Sequence, residues 1–381
     1  MSTGITFNDN GTPRDIDEVF IPMDIFQPVY PTGTLWAWGI GQYGVLGLGD
    51  STYRSSPMQV GSLSDWKSAH EGGRYAHVHI IKPDATLWAW GYNANGNLGI
   101  GDRSNRSSPV QVGLLTNWYS AAIGYSHTTA IKTDGTLWAW GGNGAGQLGH
   151  GGIVPVSSPV QVGSLSNWKS ISCSDHVMAI KTDGTLWGWG RNDYGNLGLG
   201  DRTNRSSPVQ VGNLTNWKSI ACRSQWTMAI KNDGTLWFWG WGAYGNSGLG
   251  DALSYSSPVQ VGSLTNWKQV VNYGYGTLAI KTDGTLWAWG YGPFGILGIG
   301  NTKQYSSPMQ VGLLTNWKTI SGQEYFAVAI KTDGTLWAWG SNDEGQLGVG
   351  DRASRSSPIQ VGSLTDWKNA VAGDRYVLAI R

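Results

Sequence analysis

The stretch IKTDGTLWAWG at residues 280–290 decides the fold. Its second half, TLWAWG or a near copy, occurs seven times, with first tryptophans Trp36, Trp88, Trp138, Trp187, Trp237, Trp287 and Trp337. The intervals are 52, 50, 49, 50, 50 and 50 residues. A second marker, Ser-Ser-Pro, keeps the same beat at Pro57, Pro109, Pro159, Pro208, Pro258, Pro308 and Pro358. Internal periods of this size are the signature of repeat architectures.

Working outward, each repeat offers four strand candidates, here called a to d. Strand a is TLWAWG, strand b is PVQVG (159–163), strand c is NWKSI (167–171), and strand d is HTTAIK (127–132). All are short and rich in Trp, Val, Ile or Thr, the residues that suit a pleated surface. Thr-Asp-Gly joins d to a as a tight hairpin, with glycine supplying the positive φ. Side chains alternate along a strand, so Trp36 and Trp38 share one face. Three tryptophans per repeat account for 21 of the 23, which marks those 21 as core. The expected architecture is all-β, a seven-bladed propeller of four-stranded blades. The repeats begin at strand a (Thr34) and stop after strand d (Ile380, Arg381). Pairing Trp36 and Trp38 with the segment from Tyr376 to Ile380 would close the ring and remove two exposed edges. The domain reading is therefore an extended non-repeat arm over 1–33 and the propeller over 34–381.

The bulk numbers narrow the function classes. Charged residues are 13% of the chain, glycine numbers 57, and the formal charge is +1. That balance gives no electrostatic case for nucleic acid or an anionic membrane, and neither nucleic-acid binding nor membrane insertion is expected. The start has no basic and apolar leader, so the protein is expected to be made in the cytoplasm. Cys173 and Cys222 occupy one slot in neighbouring repeats and are read as small packed side chains. The arm carries Phe20, Ile21, Met23, Ile25 and Phe26 among prolines, which favour an extended segment. It has too few residues for its own core and must pack on the ring or on a partner.

Between strands a and b lies a glycine-rich loop, such as GYNANGNLGIGD (91–102), GRNDYGNLGLGD (190–201) and GSNDEGQLGVGD (340–351). Together with SSPVQV and the later His-x-x-Ala-Ile, this resembles the repeat of the regulator of chromosome condensation family, over all seven repeats. The TDGTLWAWG wording looks most like bacterial and bacteriophage members. The resemblance implies a seven-bladed propeller. It also implies, for the eukaryotic founder, nucleotide exchange on the Ran GTPase and chromatin binding. The founder's exchange activity is associated with a wedge protruding from one blade, and no repeat here is long enough to hold one. Its chromatin contacts use a basic tail, whereas Arg14 here stands against Asp9, Asp15, Asp17, Glu18 and Asp24.

Loops a–b and c–d leave the ring on one face, loops b–c and d–a on the other. The second face is nearly identical in every repeat; the first is where repeats differ, and recognition is expected there. In loop a–b, one slot runs Tyr43, Asn95, Ala145, Tyr194, Tyr244, Phe294 and Glu344, with Trp241 close by. In region c–d, another runs His77, His127, His176, Trp226, Gly276, Phe326 and Tyr376. The residue before it gives Tyr275, Tyr325 and Arg375 in the last three repeats. Clustered aromatics with scattered polar groups suit protein or glycan contact.

No nucleophile elbow, metalloprotease helix or phosphate loop is present, and no enzyme activity or cofactor is expected. His77 and His79, with His70 or Glu71, have the residue types for a metal, but an ordinary packed pair is expected and no metal is assigned. The asparates and arginines around Asp102–Arg106, Asp201–Arg205 and Asp351–Arg355 look like local loop ion pairs. The function expected is a non-enzymatic binding or structural propeller. Its most specific form is a bacteriophage virion protein (tail, fibre or surface decoration), anchored by its arm and contacting a host surface protein or glycan. The alternatives are a small-GTPase regulator and a glycan-binding lectin.

Overall fold

A computed structural model describes residues 32–69 and 76–381. Phe20, Ile21, Met23, Ile25 and Phe26 of the arm, and His70 and Glu71, lie outside the described residues. Thr32–Arg381 is one compact unit. It is all-β: seven sheets of four antiparallel strands, each in the order c–d–a–b. The only helical turns among the described residues are single 3-10 turns at Gln42–Gly44 and Pro293–Gly295. The blades are numbered here by their c strands, from Ser68–Ala69 (first) to Asn369–Gly373 (seventh).

The seventh blade is the composite one. Leu35–Gly39 pairs with Tyr376–Ile380, with Leu35 opposite Ile380, Trp36 opposite Ala379, Trp38 opposite Val377 and Gly39 opposite Tyr376. Thr34 and Arg381 exchange backbone hydrogen bonds of 3.0 and 3.1 Å just beyond the strand. The expected closure is thus realised, and the structure adds its register. Gly33 also bridges to Trp66, and Lys368 Nζ donates to the Thr32 carbonyl, so the ring begins two residues before Thr34.

Strand c is innermost, because c strands of successive blades bond directly. Cys222 N donates to Ser172 Oγ, Asn272 Nδ2 to the Ala221 carbonyl, and Ala372 N to Ser321 Oγ, at 2.7–3.0 Å. Strand b is outermost and begins earlier than the sequence suggested. It includes Ser-Ser-Pro, as in Val156–Gln161, and is bulged against strand a. Proline lacks a donor, and an edge strand with a bulge is where a sheet tolerates it.

The repeated KTDGTLW is one interlocked unit. Asp134 Oδ1 accepts from Thr136 N and Oγ1 at 2.9 and 2.6 Å, while Gly135 takes φ +77°. Thr136 Oγ1 accepts from Trp138 Nε1 at 2.9 Å, and Lys132 Nζ sits 3.5 Å from that ring's centroid. The lysine stem and cation cover the half-exposed indole, a cation–π contact. The second tryptophan of each repeat is fully buried and reaches the previous blade. Trp239 Nε1 donates to the Asn196 carbonyl at 2.9 Å, and Trp38 to the Gln346 carbonyl across the closure. The strand c tryptophan stands edge-on to both, as Trp217 does to Trp237 and Trp239 at 6.0 and 5.9 Å. Core and inter-blade seam are therefore the same residues.

Candidate recognition face

The a–b loops come in two kinds. In four of them an asparagine in the Gly-x-Asn motif is buried and clamps the loop. Asn192 Nδ2 donates to the Asp201 and Thr203 carbonyls at 3.1 Å, and its Oδ1 accepts from Leu197 N at 2.9 Å. Asn93, Asn143 and Asn342 do the same. In the other three, glycine stands in that place: Gly41, Gly242 and Gly292. There the loop closes on backbone. A Cβ at Gly242 would lie 1.9 Å from the Leu253 carbonyl, and one at Gly292 2.1 Å from that of Lys303. These three loops carry the exposed aromatics Tyr43, Tyr244 and Phe294.

Tyr244 belongs to a continuous aromatic patch. Trp241 stands edge-on to Tyr244 at 5.2 Å and to Tyr275 at 5.5 Å, with Tyr194 at 6.1 Å. Tyr291 lies 4.9 Å from Tyr244 at an interplanar angle of 30°. Tyr244, Tyr275 and Tyr291 are 36–37% exposed, and Phe294, 49% exposed, continues the arc to Tyr325 at 5.6 Å. A smaller pair, Tyr43 and Tyr92, sits at 5.0 Å on another blade boundary. Sequence reasoning missed Tyr291 and Tyr92. The available signal was their slot, directly after strand a, which runs Ile40, Tyr92, Gly142, Arg191, Trp241, Tyr291 and Ser341.

Six of the residues expected on this face are not on it. His77, His127, His176, Trp226, Phe326 and Tyr376 are all buried. They are the first or nearly first residues of strand d, paired with the last glycine of strand a, as Trp226 is with Gly240. Alternation along the strand turns the preceding residue (Tyr275, Tyr325, Arg375) out at the turn and this one in between blades. The fifth blade makes the role plain: it has Gly276 in the slot, and the buried ring of Tyr273 fills the space instead.

The histidines form an inter-blade polar layer. His176 Nε2 is 2.8 Å from Thr227 Oγ1 of the next blade. His77 lies 3.4 Å from both Asn97 Nδ2 and Thr128 Oγ1, and 5.8 Å from the His79 ring. Burial pushes His127 down to about 3, with His77 and His176 adding to the effect; burial likewise lowers His176 to about 3. All six slots are thus filled by packed side chains, and burial disfavours the charged form of His127 and His176. No group of histidine, cysteine, aspartate or glutamate that could hold a metal is present among the described residues.

The charged loop residues are paired locally, Arg106 with Asp102, Arg205 with Asp201 and Arg355 with Asp351, each at 2.5 Å. Exposed pairs of this kind contribute little to stability. Cys173 and Cys222 are free and lie on inner strands; burial pushes the Cys222 thiol up to about 12. None of these groups is arranged as a nucleophile with its base.

The fold and its variable face define a β-propeller that carries an aromatic patch on its variable loops. The RCC1-like domain profile matches residues 32–278, and the regulator of chromosome condensation (RCC1) repeat profile matches 283–330 and 333–380. This chain belongs to the RCC1-like family. It is 33% identical over 81 residues to the ultraviolet-B receptor UVR8 of Arabidopsis thaliana. That stretch is 21% of this chain and 18% of the receptor. Among solved structures it resembles yeast RCC1 (Prp20), seen bound to Kap60, with a TM-score of 0.83 and 19% identity. The likeness covers 93% of this chain and 91% of that one. Human WBSCR16 gives 0.80 and 19%, over 92% and 99%. At such identities the likeness is one of fold.

Proposed function

We propose that this protein is a non-enzymatic binding propeller that recognises a protein partner through the arc from Tyr194 to Tyr325. The observation that carries the reading is the cluster of Tyr244, Tyr275, Tyr291 and Phe294, exposed on loops that the framework leaves free to vary. Rigid aromatics on a preformed face supply contact area at low entropic cost. Proximity labelling with the native chain and with a Tyr244→Ser, Tyr275→Ser, Tyr291→Ser variant tests this. The expected result is a set of neighbours lost in the variant while its thermal midpoint is unchanged. An identical set from both proteins would sink the reading.

The more specific form is a protein made in the cytoplasm and built into a larger particle, a bacteriophage virion, through the apolar arm. The phage-like wording of the repeats supports it. Copurification with particles should be lost on deleting residues 1–30, and retention by the truncated ring would contradict it. The aromatic arc also suits stacking against sugar rings, which a glycan array with Tyr244→Ala and Tyr275→Ala controls addresses. Family membership motivates a nucleotide-exchange assay on small GTPases, where no acceleration counts against a regulator.

A further inference from the structure

Beside the aromatic arc, where the fifth, sixth and seventh blades meet, lies a cavity of about 290 Å³. It rests on the proposed recognition role of this face but has a chemistry of its own. Its walls are Phe294 from the fifth-blade loop and Tyr325 from the sixth-blade turn, edge-on at 5.6 Å. Asp343 and Glu344 bring two carboxylates to the same cavity, against the guanidinium of Arg375 in its lining; a third, Glu324, is already paired with the buried Arg223 at 3.8 Å. We propose that this cavity receives an arginine side chain of a protein partner.

Size, charge and shape argue together. The volume is below that of pockets for drug-sized ligands and suits one long side chain. Aromatic faces attract a cation, and desolvation between them strengthens the attraction. A planar guanidinium stacks on such rings and meets a carboxylate through two parallel donors, which an ammonium does not. Arg375 already shows the preference, its Nη1 lying 3.8 Å from Glu344 Oε1, beyond hydrogen-bond distance. An incoming guanidinium can make the short contact that this half-exposed side chain does not.

The arrangement is local, not framework. The slot of Glu344 holds no other acid in the remaining repeats, being Tyr43, Asn95, Ala145, Tyr194, Tyr244 and Phe294. Phe294, Glu324 and Arg375 take positive φ, +57°, +22° and +61°, as do Tyr43, Ser224 and Ala76 in the same slots of other blades, so that backbone belongs to the turns.

The test uses the full chain and three capped amino acids, the N-acetyl amides of arginine, lysine and citrulline, titrated by NMR. Arginine amide should bind about tenfold more tightly than the neutral, isosteric citrulline, weaken with salt, and outbind lysine. The Asp343→Asn, Glu344→Gln variant should lose the preference while keeping its near-ultraviolet tryptophan spectrum. Equal binding of arginine and citrulline, no binding of either, or a preference for lysine overturns the proposal. If that variant misfolds, Phe294→Leu, on an exposed loop tip, replaces it and should reduce the arginine preference. Because the probe is a small molecule, its failure leaves partner recognition by Tyr244, Tyr275 and Tyr291 standing, and the labelling experiment judges that separately.

Discussion

At the scale of single residues, departures from the repeat are the informative positions. Ala85 stands where other repeats put the hairpin glycine, and it keeps φ +59°. The left-handed region costs an L-residue about 1–2 kcal/mol, partly offset by the greater freedom of glycine in the unfolded chain. Ala85→Gly is therefore expected to stabilise by about 0.5–1 kcal/mol, measured by urea denaturation.

The buried histidines set a pH dependence. Burial holds His127 and His176 at about 3 when folded, against an ordinary value of 6.5. Between those values the unfolded chain binds more protons, so stability is full above the ordinary value and falls as pH drops through the window. At pH 5 the loss is about 2 kcal/mol per histidine. The urea midpoint should fall from pH 7 to pH 5, and His127→Gln should reduce that fall. An unchanged slope in the variant would show that His127 does not contribute.

At the scale of elements, strength resides in the seam between blades. Asn196 O accepts from Trp239 Nε1 and from Thr227 Oγ1, at 2.9 and 3.0 Å, both from the next blade. Trp239→Phe removes one donor and leaves a gap, and should cost about 1–3 kcal/mol in the same denaturation experiment. By contrast, Trp237→Phe loses a bond to the adjacent Thr235 in a half-exposed site and should cost less. The sequence showed that both tryptophans are framework. It did not show which one spans blades, because the donor's partner lies 43 residues away and is chosen by the ring's curvature.

The same limit explains the six misplaced site residues. Their variation between repeats looked like freedom for recognition. In the structure it is packing variety, since each inter-blade slot is filled by a different local solution, a histidine on a threonine, a tryptophan, or Gly276 beneath Tyr273. Whether a strand-end side chain turns outward or inward depends on the neighbouring blade, which local periodicity does not contain. Tyr43, Tyr194, Tyr244 and Phe294 were legible, because they occupy one loop slot that changes between repeats while the glycines around it do not.

For the whole molecule, the closure strand decides whether seven sheets act as one ring. Removing residues 376–381 leaves Leu35–Gly39 paired on one side only, with Arg54–Gln59, and reopens two edges. The truncated chain is expected to lose its single cooperative unfolding transition and to self-associate, as followed by calorimetry and light scattering. A monomeric protein with one sharp transition would contradict the role given to the composite blade.

Fold, blade number and the pairing that closes the ring were determined by the sequence alone, because each is a repetition of local chemistry: a hairpin turn, a period-two tryptophan pair, an unpaired strand at each end. Only the tertiary structure decided which variable residues face solvent, how Tyr291 joins the aromatic arc, and that Phe294, Tyr325, Glu324, Asp343, Glu344 and Arg375 surround one cavity. Those residues come from three blades, and only the ring's closure angle brings their loops to the same place.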